Sequence, residues 1–296
     1  MESIEQYYRD LQAEDRRLLE QRRTECFARC PELAALQAQK GEAFRLPLAE
    51  GRVLLQSLAK RQRELLLSLQ LPENYLDMPY TCPLCKDTGY TGKDVAVKCA
   101  CRIKREQLSL RAEARIGTRE TFSAFRTDIY ADEAERIRGE KIRAACLKFA
   151  EALPKPEKPQ LLFFGMAGLG KSFFGNAMAA FAADKGIESR RITAYALLHE
   201  VTEGFARNSD AVSVYSRIPF LVLDDLGTEA MIPNVTQNAL FSLIDRRLLE
   251  ELPTVYITNL LPEELQLRYG ERISSRLMQK SATVAIRFTG TNLRGR

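Results

Sequence analysis

The segment Gly165-Met166-Ala167-Gly168-Leu169-Gly170-Lys171-Ser172 fits G-x-x-x-x-G-K-[ST] at every fixed position. An apolar run at 161–164 precedes it and a helical pattern opens at Lys171, the strand–loop–helix setting of a Walker A loop. Its chemistry is phosphate binding. Gly165, Gly168 and Gly170 let backbone N–H groups turn inward around phosphate oxygens, and the helix N-terminus adds partial positive charge. Lys171 is expected to reach the β- and γ-phosphates of ATP, and the Ser172 hydroxyl to coordinate Mg2+. A second apolar run, 220–223, ends in Asp224-Asp225. Carboxylates at the C-terminal end of a buried parallel strand lie where open α/β sheets bind ligands. Asp224 is the expected magnesium partner, and Asp225 the group that polarises the attacking water.

Two further positions bear on phosphate chemistry. Residues 254–258 read as a strand whose tip carries Asn259, a polar group able to contact the γ-phosphate or the lytic water if that strand lies between the two Walker strands. Arg272 and Arg276 stand four apart and share one helix face. Following that strand, the pair suggests an arginine finger directed at a neighbouring subunit's ATP. A separate constellation, Cys82-Pro-Leu-Cys85 and Cys99-Ala-Cys101, gives C-x2-C…C-x-C with thirteen residues between the pairs. Four thiolates on turns, with Gly89 and Gly92 permitting tight geometry, suit a closed, structural Zn2+ site. Four free thiols or a redox pair is the competing reading. Cys26, Cys30 and Cys146 lack further ligands, and His199 reads as an ordinary helix residue.

The elements that must position these groups follow from periodicity. From residue 160 onward strands alternate with helices: strands at 161–164, 189–193, 220–223, 254–258 and 284–288, helices at 171–185, from 196, at 236–250 and at 271–278. That alternation implies right-handed crossovers and a largely parallel sheet. Residues 1–75 read as a helical domain or hairpin, with Tyr7, Leu11, Leu18 and Leu19 on one stripe and Val53, Leu54, Leu58, Leu65 and Leu69 on another. A basic helix is predicted over 102–116, an extended aromatic stretch over 121–130, and a charged helix over 132–153, closed by a proline-rich connector ending at Pro159.

Composition removes other function classes. The 296 residues leave room for about two domains. No apolar run approaches the roughly 20 residues of a bilayer span, so no membrane partner is expected. The first residues lack a secretory pattern, and seven cysteines without one suit a reducing, cytoplasmic compartment. The single histidine, His199, excludes any mechanism built on a histidine pair. Residues 81–120 carry nine basic and five acidic side chains within an overall charge of +5, a modest positive block.

The motifs together resemble the AAA+ ATPases, in the branch containing the DnaC and DnaI helicase loaders and the IstB transposition helpers. The matching pieces are 165–172, Leu223-Asp224-Asp225-Leu226-Gly227-Thr228-Glu229, the run 253–260 ending in Thr258-Asn259-Leu260, and Gly270-Glu-Arg-Ile-Ser-Ser-Arg-Leu277. Phe122, Phe125 and Tyr130 resemble the aromatic lead-in that flanks the adenine in this branch, and 82–90 resembles a zinc-bearing N-terminal extension of some helicase-loader-like ATPases. The resemblance implies an α/β fold: an AAA+ P-loop parallel sheet without a full C-terminal lid, preceded by a helical and zinc-binding region. It divides the chain into a helical domain (1–75), a zinc-binding module with a basic helix (76–120), a linker and lead-in helix (121–159) and an AAA+ ATPase domain (160–296). It makes Asn259 sensor 1 and Arg276 the finger, with Arg272 the second candidate; Arg294 reads either as a partial substitute for a sensor 2 arginine or as an ordinary basic tail. It implies slow ATP hydrolysis, stimulated by assembly or DNA. The partners implied are a replicative ring helicase, single-stranded DNA and further copies of the chain. DNA is expected around 189–193 and the following helix, where Arg190 and Arg191 read equally as strand-edge charges, or at the block 102–119. An IstB-type transposition helper is the alternative.

Overall fold

Apolar residues at helical spacing build α1 (Ile4–Arg29), α2 (Pro31–Ala43) and α3 (Leu48–Ser68). Ser3 caps α1 by accepting the Gln6 N–H at 3.1 Å, and Pro31 at the first turn of α2 forces a break from α1. This computed structural model describes residues 3–92, 95–113, 120–207 and 210–294. They form two units, divided between Arg105 and Glu106.

In the first unit Cys26, Leu33, Leu36, Leu58, Leu65 and Leu66 make the core of the three helices. Leu54 and Leu69 pack against it, but Val53 is 68% exposed, and on α1 Tyr8 and Leu19 are buried while Leu18 is exposed. Adjacent residues lie about 100° apart on a helix, which turns Val53 and Leu18 away from the sides that Leu54 and Leu19 bury. A short antiparallel hairpin follows, β1 (Tyr90–Thr91) with β2 (Val97–Lys98), and leads into α4 (Ala100–Glu113). The predicted helix thus starts two residues earlier than expected. Its residues 114–116, and 114–119 of the basic block, lie outside the described residues.

In the second unit, which takes in α4 from Glu106, a 3-10 turn at Phe122–Ala124 stands where an extended stretch was predicted, and α5 (Glu133–Glu151), capped by Asp132, follows. Then come β3 (Gln160–Phe164), α6 (Lys171–Asp184), β4 (Ser189–Thr193), α7 (Ala194–Arg207), α8 (Ala211–Arg217), β5 (Phe220–Leu226), α9 (Thr236–Leu249), β6 (Thr254–Thr258), α10 (Pro262–Tyr269), α11 (Glu271–Leu277) and β7 (Thr283–Arg287). The five strands pair in parallel in the order β4-β5-β6-β3-β7. One face buries Phe163, Phe174, Met178, Phe220 and Val222, the other Leu162, Leu221, Leu223, Leu240 and Leu243. Burial on both faces explains why these strands read as continuous apolar runs. The guanidinium of Arg247, fully buried, donates to Thr254 Oγ1 and to the carbonyls of Tyr215, Ile218 and Pro253. It thereby ties α9 to the starts of β5 and β6, and burial lowers its pKa to about 10.

Two differences from the sequence reading have local causes. Strand β5 runs through both aspartates to Leu226, with a register shift after Leu223 and Asp225 at φ +53°. Aspartate is one of the few residues that tolerates this left-handed conformation. Helix α10 was not predicted, although Pro262 stands at its first turn and Glu264 accepts the Leu261 N–H at 2.6 Å, both start signals. Among the described residues no helix is long and apolar enough to cross a membrane.

Candidate functional site

The order β5-β6-β3 places the ends of three strands side by side, with the glycine loop after β3, Asn259 after β6 and the two aspartates on β5. In the loop Gly165 and Gly168 adopt φ +124° and +80°. A Cβ at Gly165 would lie 2.2 Å from the Phe288 carbonyl oxygen, and one at Gly168 2.1 Å from Asn292 Oδ1. Only glycine satisfies both the dihedrals and the close approach. Gly170, at φ +87°, is the N-cap of α6, so the free N–H groups of that helix face the loop.

Lys171 is buried, and its Nζ donates to the carbonyls of Gly165 and Met166, each at 2.6 Å. Burial lowers its pKa, opposed by the carboxylates of Asp224 and Asp225. The ammonium is therefore held at the loop by weakly basic carbonyls that anionic phosphate oxygens can outcompete. Beneath it Asp224 has no exposed side-chain surface. Its Oδ1 accepts from Ser172 Oγ at 3.2 Å and from the Asp225 N–H at 2.8 Å. Its Oδ2 accepts from Arg191 Nε at 3.2 Å and Nη2 at 2.6 Å. Arg191 is a site residue that sequence reading did not find. In the parallel register Thr193 lies opposite Asp224, and Arg191, two residues back on the same face, leans forward onto the carboxylate. Its neighbour Arg190 lies 3.7 Å from Glu188.

Burial, and then the charge of Asp224, raise the pKa of Asp225. Asp225 and Asn259 line the same cavity of about 440 Å³ as Gly168, Gly170, Lys171 and Ser172. Phe125, Tyr130 and Phe173 form another wall of it, and Phe125 lies 6.1 Å from Tyr130 between ring centroids. Leu293 and Arg294 of the C-terminal segment also border it. An amide cradle, a cation, a hydroxyl over a carboxylate and an aromatic wall fit a magnesium-bound purine nucleotide.

Arg276 does not line this cavity. On α11 its Nε pairs with Asp245, its Nη1 donates to the Arg272 carbonyl at 3.1 Å, and its guanidinium lies 4.4 Å from the Phe241 ring centroid. Arg272 stacks on the same ring at 3.5 Å. Arg276 instead borders a groove of about 940 Å³ with Asp245, Pro154 and Pro253. That groove is larger than the nucleotide cavity but contains no phosphate-binding loop.

In the first unit the Sγ atoms of Cys82, Cys85, Cys99 and Cys101 all lie within 4.8 Å of one another. Cys85 and Cys101 are 3.4 Å apart and Cys82 and Cys99 3.9 Å, too far for disulfides of about 2.05 Å. Sulfurs about 2.3 Å from a tetrahedral zinc sit roughly 3.8 Å from each other, so both spacing and donor chemistry fit that metal. Asp87, fully buried, accepts the N–H groups of Thr81 at 2.6 Å and Cys82 at 2.8 Å and shapes the first turn. The Cys85 N–H, donating to sulfur, holds the Cys82 thiol at about 7, while burial pushes Cys101 up to about 12. Tyr8 Oη lies 3.3 Å from Cys101 Sγ and ties the cluster to α1.

No protein-family model matches the chain. It is 27% identical over 146 residues to the replicative helicase loader DnaI of Bacillus subtilis (strain 168), across 45% of this chain and 47% of that protein. The chain thus spans about half the length of this curated relative. Among solved structures, that of the DnaC helicase loader aligns with a TM-score of 0.50 at 19% identity, over 58% of this chain and 100% of that one. A crystal structure of DnaI aligns with a TM-score of 0.48 at 24% identity, over 64% and 100%. The likeness to DnaC shows that the parallel-sheet core has the AAA+ fold, and the match to DnaI bears out the resemblance read from the motifs.

Proposed function

We propose that this chain is an ATP-dependent helicase loader that places a replicative ring helicase on single-stranded DNA. One observation carries the reading: a single cavity brings Lys171, Ser172, Asp225 and Asn259 together above Asp224 in a chain similar to a helicase loader. The same relative favours this reading over an IstB-type helper. Residues Gly165, Gly168, Gly170 and Lys171 hold the phosphates. Mg2+, held by Ser172 and Asp224, supplies charge neutralisation at the phosphates. Asp225, whose pKa burial raises, orients the attacking water, and Asn259, lining the same cavity, contacts the γ-phosphate or that water. Arg276 serves the ATP of a neighbouring copy, exchanging Asp245 for that copy's phosphate, and hydrolysis is slow until assembly or DNA supplies it.

The four cysteines hold a structural zinc, and the first unit carries the helicase contact. Arg191 sits on Asp224, so in this state Arg190 is the better placed of the two for DNA, and in the basic block Arg102 and Arg111 are paired with Glu5 and Asp184. The site of action is the cytoplasm. A pull-down from the native cell, with Lys171→Ala as control, tests the reading by mass spectrometry. Recovery of the replicative helicase supports it, and recovery of a transposase instead replaces it with the IstB alternative. Lys171→Ala is expected to abolish ATP binding by calorimetry, and equal affinity in variant and parent refutes the phosphate site.

A further inference from the structure

Glu135 stands in the first turn of α5 and is only 7% exposed. It does not cap its own helix; Asp132 does, accepting the Glu135 N–H at 2.8 Å. Its carboxylate gathers donors from the turn just before its own helix and from the distant C-terminal segment. Oε1 accepts the Thr291 N–H at 2.8 Å, and Oε2 accepts the Thr291 hydroxyl at 2.9 Å and the Ala131 N–H at 3.3 Å. The C-terminal segment is shaped for this approach. Gly290 adopts φ +129°, and a Cβ there would lie 2.8 Å from Glu135 Oε1.

Beyond Thr291 the same segment lies against the phosphate loop. The Leu293 N–H donates to the Gly168 carbonyl at 2.8 Å, and Asn292 covers the bare Cα of Gly168. Leu293 and Arg294 then form part of the cavity wall. On the other side Ala131 follows Tyr130, which lines the aromatic wall. Gly139, one helical turn beyond Glu135, leaves room for that ring; a Cβ there would lie 2.4 Å from Tyr130 Cζ. One carboxylate thus joins the aromatic side of the cavity to the segment lying over its phosphate side.

We propose that Glu135 is a positioning residue for nucleotide binding, fastening residues 290–294 as a strap across the phosphate loop and holding the strap in register with the aromatic wall. This rests on the nucleotide reading above. The strap orders Leu293 and Arg294 before nucleotide arrives, so binding does not bear that cost. Loss of the anchor therefore weakens affinity while Lys171, Ser172 and Asp224 keep their places.

The test is calorimetric MgATP affinity in the parent, Glu135→Ala, Glu135→Gln, Thr291→Val and the double variant Glu135→Ala/Thr291→Val. Glu135→Ala is expected to weaken affinity about tenfold, the scale of lost charge-assisted hydrogen bonds. Thr291→Val weakens it less and adds nothing on top of Glu135→Ala, because both act through one contact. Glu135→Gln falls between, since its amide oxygen still accepts one Thr291 donor. Thr291→Val and Glu135→Gln, the milder changes, carry the test if Glu135→Ala does not fold. Additive losses, or unchanged affinity in a folded Glu135→Ala whose only defect is a lower melting temperature, overturn the strap while the parent still binds MgATP. A parent that binds no MgATP overturns the nucleotide reading and the strap with it.

Discussion

Replacing Arg191 by methionine removes two of the four hydrogen bonds that the Asp224 carboxylate accepts, and the cation paired with it. Asp224 has no exposed side-chain surface and cannot recover those bonds from water. Breaking a fully buried ion pair from one side costs about 3–5 kcal/mol. The Arg191 side chain is 28% exposed, and Ser172 and the Asp225 N–H remain on the other oxygen, so about 2 kcal/mol is the better figure here. For a unit of this size that lowers the melting temperature by about 4–8 °C. The assay is thermal unfolding of parent and Arg191→Met, each without ligand and with saturating MgATP. If Asp224 is the magnesium partner, the metal takes over part of the lost charge pairing, and the deficit shrinks when MgATP is present. Arg191→Lys restores the charge but not the two-pronged geometry and falls between. A variant that melts with the parent in the absence of ligand refutes the energetic argument. A deficit that MgATP leaves unchanged, in protein that binds it, refutes the assignment of Asp224.

Metal analysis of unoxidised protein is expected to find one zinc per chain, released by chelation or acidification. A Cys82→Ser/Cys99→Ser variant that keeps full stoichiometry would place the metal elsewhere. Thr291 holds the Glu135 carboxyl below its usual range. A lowered folded-state pKa gives stability that is present above the unfolded value and lost only as pH falls through the lowered one. Attachment of the C-terminal segment, followed by a fluorophore placed there, should be flat through neutrality and change only below the ordinary glutamate pKa. A transition near pH 6 would assign it to another group. Arg276→Ala is expected to leave MgATP binding by isolated chains intact and to cut assembly-dependent turnover, where fingers contribute about 10³–10⁵ in rate. Mixing it with Lys171→Ala should restore part of that turnover, and mixtures no better than the two variants apart would make Arg276 a surface residue.

The phosphate loop was legible because its chemistry is contiguous: eight neighbouring residues contain the glycines, the cation and the hydroxyl, and flanking periodicity places them after a strand and before a helix. The same holds for the four cysteines, two tight pairs whose turns bring the sulfurs within 4.8 Å. What the sequence concealed depends on register or on distant chain segments. Arg190 and Arg191 are equivalent as letters. Only the pairing of β4 with β5, Thr193 opposite Asp224, gives the second arginine the buried carboxylate. Glu135 and Thr291 are 156 positions apart and meet because β7 returns beside β3 and carries the C-terminal segment back to the loop.

Arg276 shows the opposite limit. Its four-residue spacing from Arg272 correctly put both on one helix face, and both guanidinium groups stack on Phe241. That spacing is equally what an intramolecular stack requires. Within one copy Arg276 is already satisfied by Asp245, at the edge of a groove separate from its own nucleotide cavity. An arginine that is to reach another copy's phosphate must leave that pairing. Asp245 is about a quarter exposed, so releasing its partner strands no buried charge. Exchange of Asp245 for a phosphate is then a trade between two anions of which the phosphate carries more charge, so the equilibrium turns on whether assembly brings the phosphate within reach.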